Sequence, residues 1–275
     1  MKTEIRYGKH NVSFYRTHPE RGLLAGRVSI DVFGDNFLPA YTEGDNRQVV
    51  ATDTMKNFVY AMALEYQGNS HEGFTAFLGR RFLETYPQMQ WLRLVTLEVP
   101  FRKYSNKLLS PLEDDFGTVV AEIGRDGIRS LTCGRRNLRL VKLTGSAFKE
   151  FARDAYTTLP EVKDRPLFIY LDVHWRYQRV EDAISEGAER IPSESIRDAV
   201  IVTFDSFVSM SIQHLVHEMG IRLLEDFPAL SEVSFEAQNR LWDTSKVAEN
   251  DPKTRVFSDP KPAHGMIGLT LKRDA

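Results

Sequence analysis

The sequence predicts an α+β protein of two tandem units, each an antiparallel sheet carrying helices on one face. Three observations point there. Alternating strands, two amphipathic helical stretches and further strands follow in the order β-β-α-α-β-β through residues 11–124. Strands, helical matter and strands then recur through residues 128–273. The halves also share a register, because Gly79, Leu83, Glu84, Tyr86 and Pro87 match Gly220, Leu224, Glu225, Phe227 and Pro228 at a constant offset of 141. A helix that stops at an aromatic-proline pair and feeds an alternating strand therefore occurs twice, which duplication explains better than chance. The expected division is 1–125 and 126–275.

Each element has a local reason. Residues 11–17 are strand-like, and 26–34 set Val28, Ile30 and Val32 against polar neighbours, the period of a half-buried strand. "HPERGLL" between them is turn material, so the chain opens with a hairpin. From Asn46 to Gln67 the period becomes helical, with Val50, Met55, Phe58, Val59, Met62 and Ala63 on one stripe. A second helix, 71–87, stops at Pro87. Segments 91–101 and 117–124 return to strand alternation. In the second half, 128–145 reads as strand with a turn at Gly134, and 166–177 as a strong strand. Residues 193–228 read as mostly helical, and 231–239 and 265–273 as strands. Sheets covered on one face need their other face and edges met, which argues for assembly of several copies.

Composition narrows the class. Of 275 residues, 42% are hydrophobic and 27% charged, the balance of a soluble, well-cored protein. Net charge is −2, and no Lys/Arg block forms a nucleic-acid patch. The one cysteine, Cys133, excludes an internal disulfide and fits a reducing compartment. "MKTEIRYGKH" has no apolar secretory core, and no apolar run reaches membrane-spanning length. A cytoplasmic protein is expected.

No Gly-x-Gly-x-x-Gly, Walker loop, Cys-x-x-Cys or Gly-x-Ser-x-Gly is present. His214 and His217 can share a helix face, but no third metal ligand is apparent. An enzyme here is expected to work without nucleotide or metal. "VVATDTMKNFVY" (49–60) sets five polar groups at the mouth of an apolar helix. Alone, Thr52 or Asp53 reads as a helix cap and Lys56 as a solvated residue.

Other strings change that weighting. "YGK" (7–9) precedes the first strand, "FKEFARDAYTTLPEVKDR" spans Phe148 to Arg165, "SMSIQ" ends at Gln213, and Asn239 closes a strand. In this order and spacing the chain resembles the urate oxidases (uricases) of bacterial type, over nearly its whole length. The resemblance implies the tunnelling (T) fold: tandem β-β-α-α-β-β units in a tunnel-forming homo-oligomer, usually a homotetramer. It also implies oxidation of urate by O2 and water to 5-hydroxyisourate and hydrogen peroxide, with no cofactor and no metal.

It further implies site roles. Phe148 stacks on the purine, Arg165 offers it a bidentate fork, and the Gln213 amide pairs another edge. Backbone N–H groups at Asp53 and Ile212 meet remaining acceptors, and Asn239 orients O2 or water above the ring. Lys9 and Thr52 relay protons. A lysine acts as a base only when neutral, which burial or a cationic neighbour favours. The family shares each site between subunits, Lys9 and Thr52 from one and Phe148, Arg165 and Gln213 from another.

The match breaks at one place. Where many uricases have Asn-x-His, this chain reads Asn239-Arg240-Leu241, and leucine carries no proton. A urate-binding protein with weakened catalysis, or another T-fold enzyme acting on a pterin or other purine-like ring, are the competing readings. The C-terminal "LKRDA" lacks the Ser-Lys-Leu peroxisomal address, in line with a bacterial, cytoplasmic protein.

Overall fold

A computed structural model describes residues 3–105 and 107–274. Strands β1 (Arg6–His18) and β2 (Gly22–Phe33) form the expected antiparallel hairpin. Short α1 (Leu38–Thr42), α2 (Thr52–Glu65) and α3 (His71–Thr85) follow, then β3 (Trp91–Glu98), β4 (Phe101–Lys103), β5 (Leu109–Pro111) and β6 (Phe116–Gly124). Next come β7 (Gly127–Lys142), β8 (Leu167–Tyr177), α4 (Val180–Ile184), α5 (Ser193–Ser206) and α6 (Ile212–Asp226). Strands β9 (Leu230–Asn239), β10 (Asp243–Val247), β11 (Arg255–Ser258) and β12 (Gly265–Lys272) complete the chain.

The chain divides into two compact units, 1–134 with 176–191, and 135–175 with 192–275. In the first unit, β1, β2, β3, β6 and the first part of β7 are successive neighbours. Val28, Ile30, Val32, Leu92, Leu94 and Ile123 are wholly buried on the face that meets Met55 and Val59 of α2 and Phe74, Leu78 and Phe82 of α3. In the second, the rest of β7 is followed by β8, β9 and β12. Ile169, Val173, Val233 and Ala237 are buried there, as are Ile196 and Val200 of α5 and Leu215 and Met219 of α6. The alternation of each strand thus selects one face for helices, as its hydrophobic period requires.

The repeat seen in the sequence extends into hydrogen bonding. Helices α2 and α3 each recur 141 residues on as α5 and α6, with identical lengths. Ser70 caps α3 by accepting from the Gly73 amide, and Ser211 caps α6 by accepting from that of His214. At the other ends, Arg125 donates to the carbonyls of Leu83 and Met89, and Arg273 to those of Leu224 and Leu230. A Cβ on Gly79 would lie 3.0 Å from Leu94 Cδ1, and one on Gly220 3.2 Å from Phe235 Cε2. Both glycines let a helix approach its sheet at the equivalent position.

Four expectations need correction. Strand β7 runs straight through Gly134, which is buried and has no positive φ, so no turn forms there. The helical stretch 193–228 is two helices. The Lys142 ammonium donates to the carbonyls of Phe204, Asp205 and Phe207 at 2.8–2.9 Å and ends α5, and Ser211 then starts α6. Residues 46–51 are not helical, since α2 begins at Thr52. Tyr7-Gly8-Lys9 lies inside β1 rather than before the first strand.

Candidate active site

Lys9, Thr52 and Asp53 lie in the first unit. Gly8 lets β1 pass close to β2, because a Cβ there would meet the Ile30 carbonyl oxygen at 1.9 Å. The pairing register shifts between Lys9 and Val12, with Asn11 at φ 59°, so half-buried Lys9 sits at the start of a β-bulge. One residue before Gly8, the Tyr7 hydroxyl accepts from the Val50 amide at 2.8 Å, and its ring stands edge-on to Phe37. Tyr7 therefore ties the segment leading into α2 to the strand that carries Lys9. Burial outweighs that hydrogen bond and raises the Tyr7 pKa.

The cap reading of Thr52 and Asp53 does not hold. Ala51 occupies the N-cap position, and no side chain caps the first turn of α2. Thr52 is the first helical residue and is exposed, and no side chain takes up the first amides of the helix. Asp53's carboxylate instead binds Lys56 Nζ and, at 3.2 Å, Asn57 Nδ2. The Lys56 bond chiefly holds the Asp53 pKa below the usual carboxylate value, and the charge of Lys9 adds to the effect. Lys56 and Asn57 thus have a local role in fixing Asp53.

Phe148, Arg165, Ile212, Gln213 and Asn239 all lie in the second unit. Between β7 and β8 the chain forms an irregular strap, closed at its base by Phe148 and Val162, whose amides and carbonyls exchange bonds at 2.8 and 2.9 Å. Asp164 does not pair with Arg165, as an ordinary surface ion pair would. It accepts from Thr144 Oγ1 at 2.5 Å and from the amides of Gly145 and Ser146. Those bonds, the threonine's foremost, lower its pKa. The Arg165 amide donates to the Ser146 carbonyl at 2.9 Å, leaving the side chain to turn inward.

The Arg165 guanidinium stands 5.7 Å from the Phe148 ring centre. Its Nε is buried and has no hydrogen-bond partner among the described residues, and burial lowers its pKa from the ordinary arginine value. Ser146 forms a parallel bridge with Ser209, which draws the strap to the start of α6. Ile212 and Gln213 are the first two residues of that helix. Gln213 is exposed in the first turn. Asn239 ends β9 opposite Gly265, and its Oδ1 is a second buried atom without a partner. Leu241 follows, half-buried.

The structure thus brings Phe148, Arg165 and the start of α6 together, and separately brings Lys9 beside the start of α2. An aromatic face, a cationic fork with an unused donor and a helix N-terminus suit a flat anionic ring. His214 packs edge-on to Phe207 and His217 lies beside Glu218. Among the described residues no three His, Cys, Asp or Glu side chains group as metal ligands. A cavity of about 430 Å³ in the first unit, lined by Arg21, Asn69, His71 and Lys103, contains none of the predicted residues. Sequence reasoning missed Tyr7 as an anchor, Asp164 as a clasp and the Ser146–Ser209 bridge. The Tyr in "YGK" and the Asp before Arg165 were visible signals; the serine bridge had none.

The family model described as Uricase matches residues 5–115 and 131–268. A uricase of Haloferax volcanii is 40% identical over 98% of this chain and 98% of its own length. The uric acid degradation bifunctional protein PucL of Bacillus subtilis is 37% identical over 100% of this chain, which spans 62% of that protein. A crystal structure of urate oxidase from Bacillus sp. TB-90 superposes with a TM-score of 0.93 at 32% identity, covering 98% of this chain and 100% of that one.

Proposed function

The chain belongs to the uricase family, and on that premise we propose that it oxidises urate with O2 and water to 5-hydroxyisourate and hydrogen peroxide, in purine catabolism. The observation that carries this reading at the site is the unused, buried Nε of Arg165 beside the Phe148 ring. A buried donor without a partner is costly, and a ligand acceptor relieves it.

Urate is flat, electron-rich and anionic. Phe148 takes its face, and Arg165 donates in its plane to a carbonyl oxygen and a ring nitrogen. Gln213 supplies a donor and an acceptor to another edge, and the amide of Ile212 lies at the same helix start. Asn239 faces the ring from the side O2 must use. Thr52 passes protons between Lys9 and the oxygen species, and the Asp53 amide meets an acceptor of the purine. The purine itself supplies the two electrons that reduce O2 to peroxide, and water supplies the new hydroxyl at C5. Lys9, Thr52 and Asp53 serve the site from one subunit and Phe148, Arg165, Ile212, Gln213 and Asn239 from another, in a homotetramer of the cytoplasm. Among the described residues no helix is long and apolar enough to cross a membrane.

One assay tests this. Purified protein is mixed with urate in excess chelator while urate absorbance, O2 and peroxide are followed. Equal loss of urate and O2 with matching peroxide is the expected result. Tight urate binding without turnover would instead make Leu241 the mark of a protein that has kept the site and lost the relay. Neither binding nor turnover would return the fold to another ring substrate.

A further inference from the structure

We infer that Phe151 is a positioning residue for the same reaction, setting the plane in which Phe148 presents its ring to the substrate. The inference rests on Phe148 being the stacking platform of the proposed urate site. The Phe148 and Phe151 rings are stacked 4.9 Å apart with 13° between their planes. One face of Phe148 is therefore taken by its own chain, and a flat ligand has only the opposite face. A ring that stacks there extends an existing column, and its tilt is inherited from Phe151.

The column is built into the strap and held at several points. The Arg153 guanidinium stands over the Phe151 ring, 5.3 Å from its centre, and also donates to the Leu159 carbonyl at 3.1 Å. Glu150, between the two aromatics, sits at φ 59°, the left-handed turn that brings residues 148 and 151 into register. Its amide donates to Glu161 Oε1 at 3.1 Å, fastening that turn to the returning strand of the strap. Beyond Arg153, the Asp154 carboxylate closes the tip by accepting from the Tyr156 amide and the Thr157 hydroxyl, each at 2.9 Å. Phe148 is fixed at its backbone by Val162, but backbone bonds leave a side chain free to rotate about χ1 and χ2. Phe151, stacked on the ring, limits this freedom together with the Arg165 guanidinium 5.7 Å from the ring centre. A stack of this kind prepays the ordering of a binding surface, so its loss shows in substrate binding more than in the chemical step.

The test compares Phe151→Leu, which keeps apolar volume without a ring, with Phe151→Tyr, which keeps the ring, and uses Phe148→Ala as a control. Steady-state urate oxidation and thermal unfolding are measured for each. Phe151→Leu is expected to raise KM about three- to tenfold with kcat within about twofold of the parent, and Phe151→Tyr to restore KM. Equal KM values for the leucine and tyrosine variants would overturn the inference, whatever their unfolding temperatures. If Phe148→Ala raises KM and Phe151→Leu does not, the platform stands and the role of Phe151 fails. If Phe148→Ala itself leaves KM unchanged, the stacking site fails and the inference falls with it.

Discussion

Ser146 and Ser209 are both buried, and the Ser209 hydroxyl donates to that of Ser146 at 3.2 Å. Their backbones run as a parallel bridge, flanked by the Ala147 amide donating to the Ser209 carbonyl at 2.8 Å. Through this pair the strap that carries Phe148 and Arg165 is joined to the turn that starts α6. Residues far apart in the chain thereby share one small volume.

Ser146→Val removes one hydroxyl and leaves that of Ser209 buried without its partner. A destabilisation of about 1–3 kcal/mol is expected, with a raised KM for urate and a nearly unchanged kcat. Asp164→Ala, which releases Thr144 and the amides of Gly145 and Ser146, is expected to raise KM in the same way. Denaturant unfolding and steady-state kinetics check both. An unchanged KM in both variants would separate the strap from substrate binding.

Thr52→Ala and Lys9→Met are expected to lower kcat about 100-fold or more while urate affinity changes little. Arg165→Ala is expected to do the reverse, weakening affinity most. Binding of a non-reactive purine analogue, measured beside turnover, distinguishes the two patterns. Equal losses of binding and turnover in all three variants would sink the assignment of roles.

The arginine clasps at the ends of α3 and α6 are expected to matter equally. Arg125→Ala frees the carbonyls of Leu83 and Met89, and Arg273→Ala those of Leu224 and Leu230. Each substitution is expected to cost about 1–2 kcal/mol in equilibrium unfolding. A loss confined to one of them would mean that the two halves do not use equivalent helix ends.

His174 on β8 provides a pH prediction. Burial lowers its pKa from 6.5, against the raising influence of Asp172 and Glu236 and with the lowering influence of Arg136. The unfolded chain then takes up this proton first as pH falls. The contribution to stability is complete above the unfolded value of 6.5 and is lost as pH drops from there towards the folded value. Thermal unfolding between pH 8 and 5 is expected to show a fall on the acid side that His174→Gln reduces. An identical profile in the variant would exclude His174 as its source.

Much of this molecule was legible in the sequence because its signals are local. The period of apolar residues set strands and helices, and the matched runs around Gly79 and Gly220 marked the repeat that the helix caps later extended. The order of "YGK", "VVATDTMKN" and the Phe148-to-Arg165 string points to urate on its own. Where the sequence misled, a long-range bond was responsible. Lys142 reaches back to end α5 inside a continuous helical pattern, and the close approach of β1 to β2 draws Tyr7-Gly8-Lys9 into the sheet. Ala51 caps α2 without a side chain, and Tyr7 rather than Thr52 orders that turn. Only tertiary structure could decide that Arg165 Nε and Asn239 Oδ1 are buried without partners, that Gln213 is exposed, and that Phe151 backs Phe148. Hydrophobic period depends on neighbours a few positions apart, whereas hydrogen-bond satisfaction depends on groups that meet only after the chain has folded.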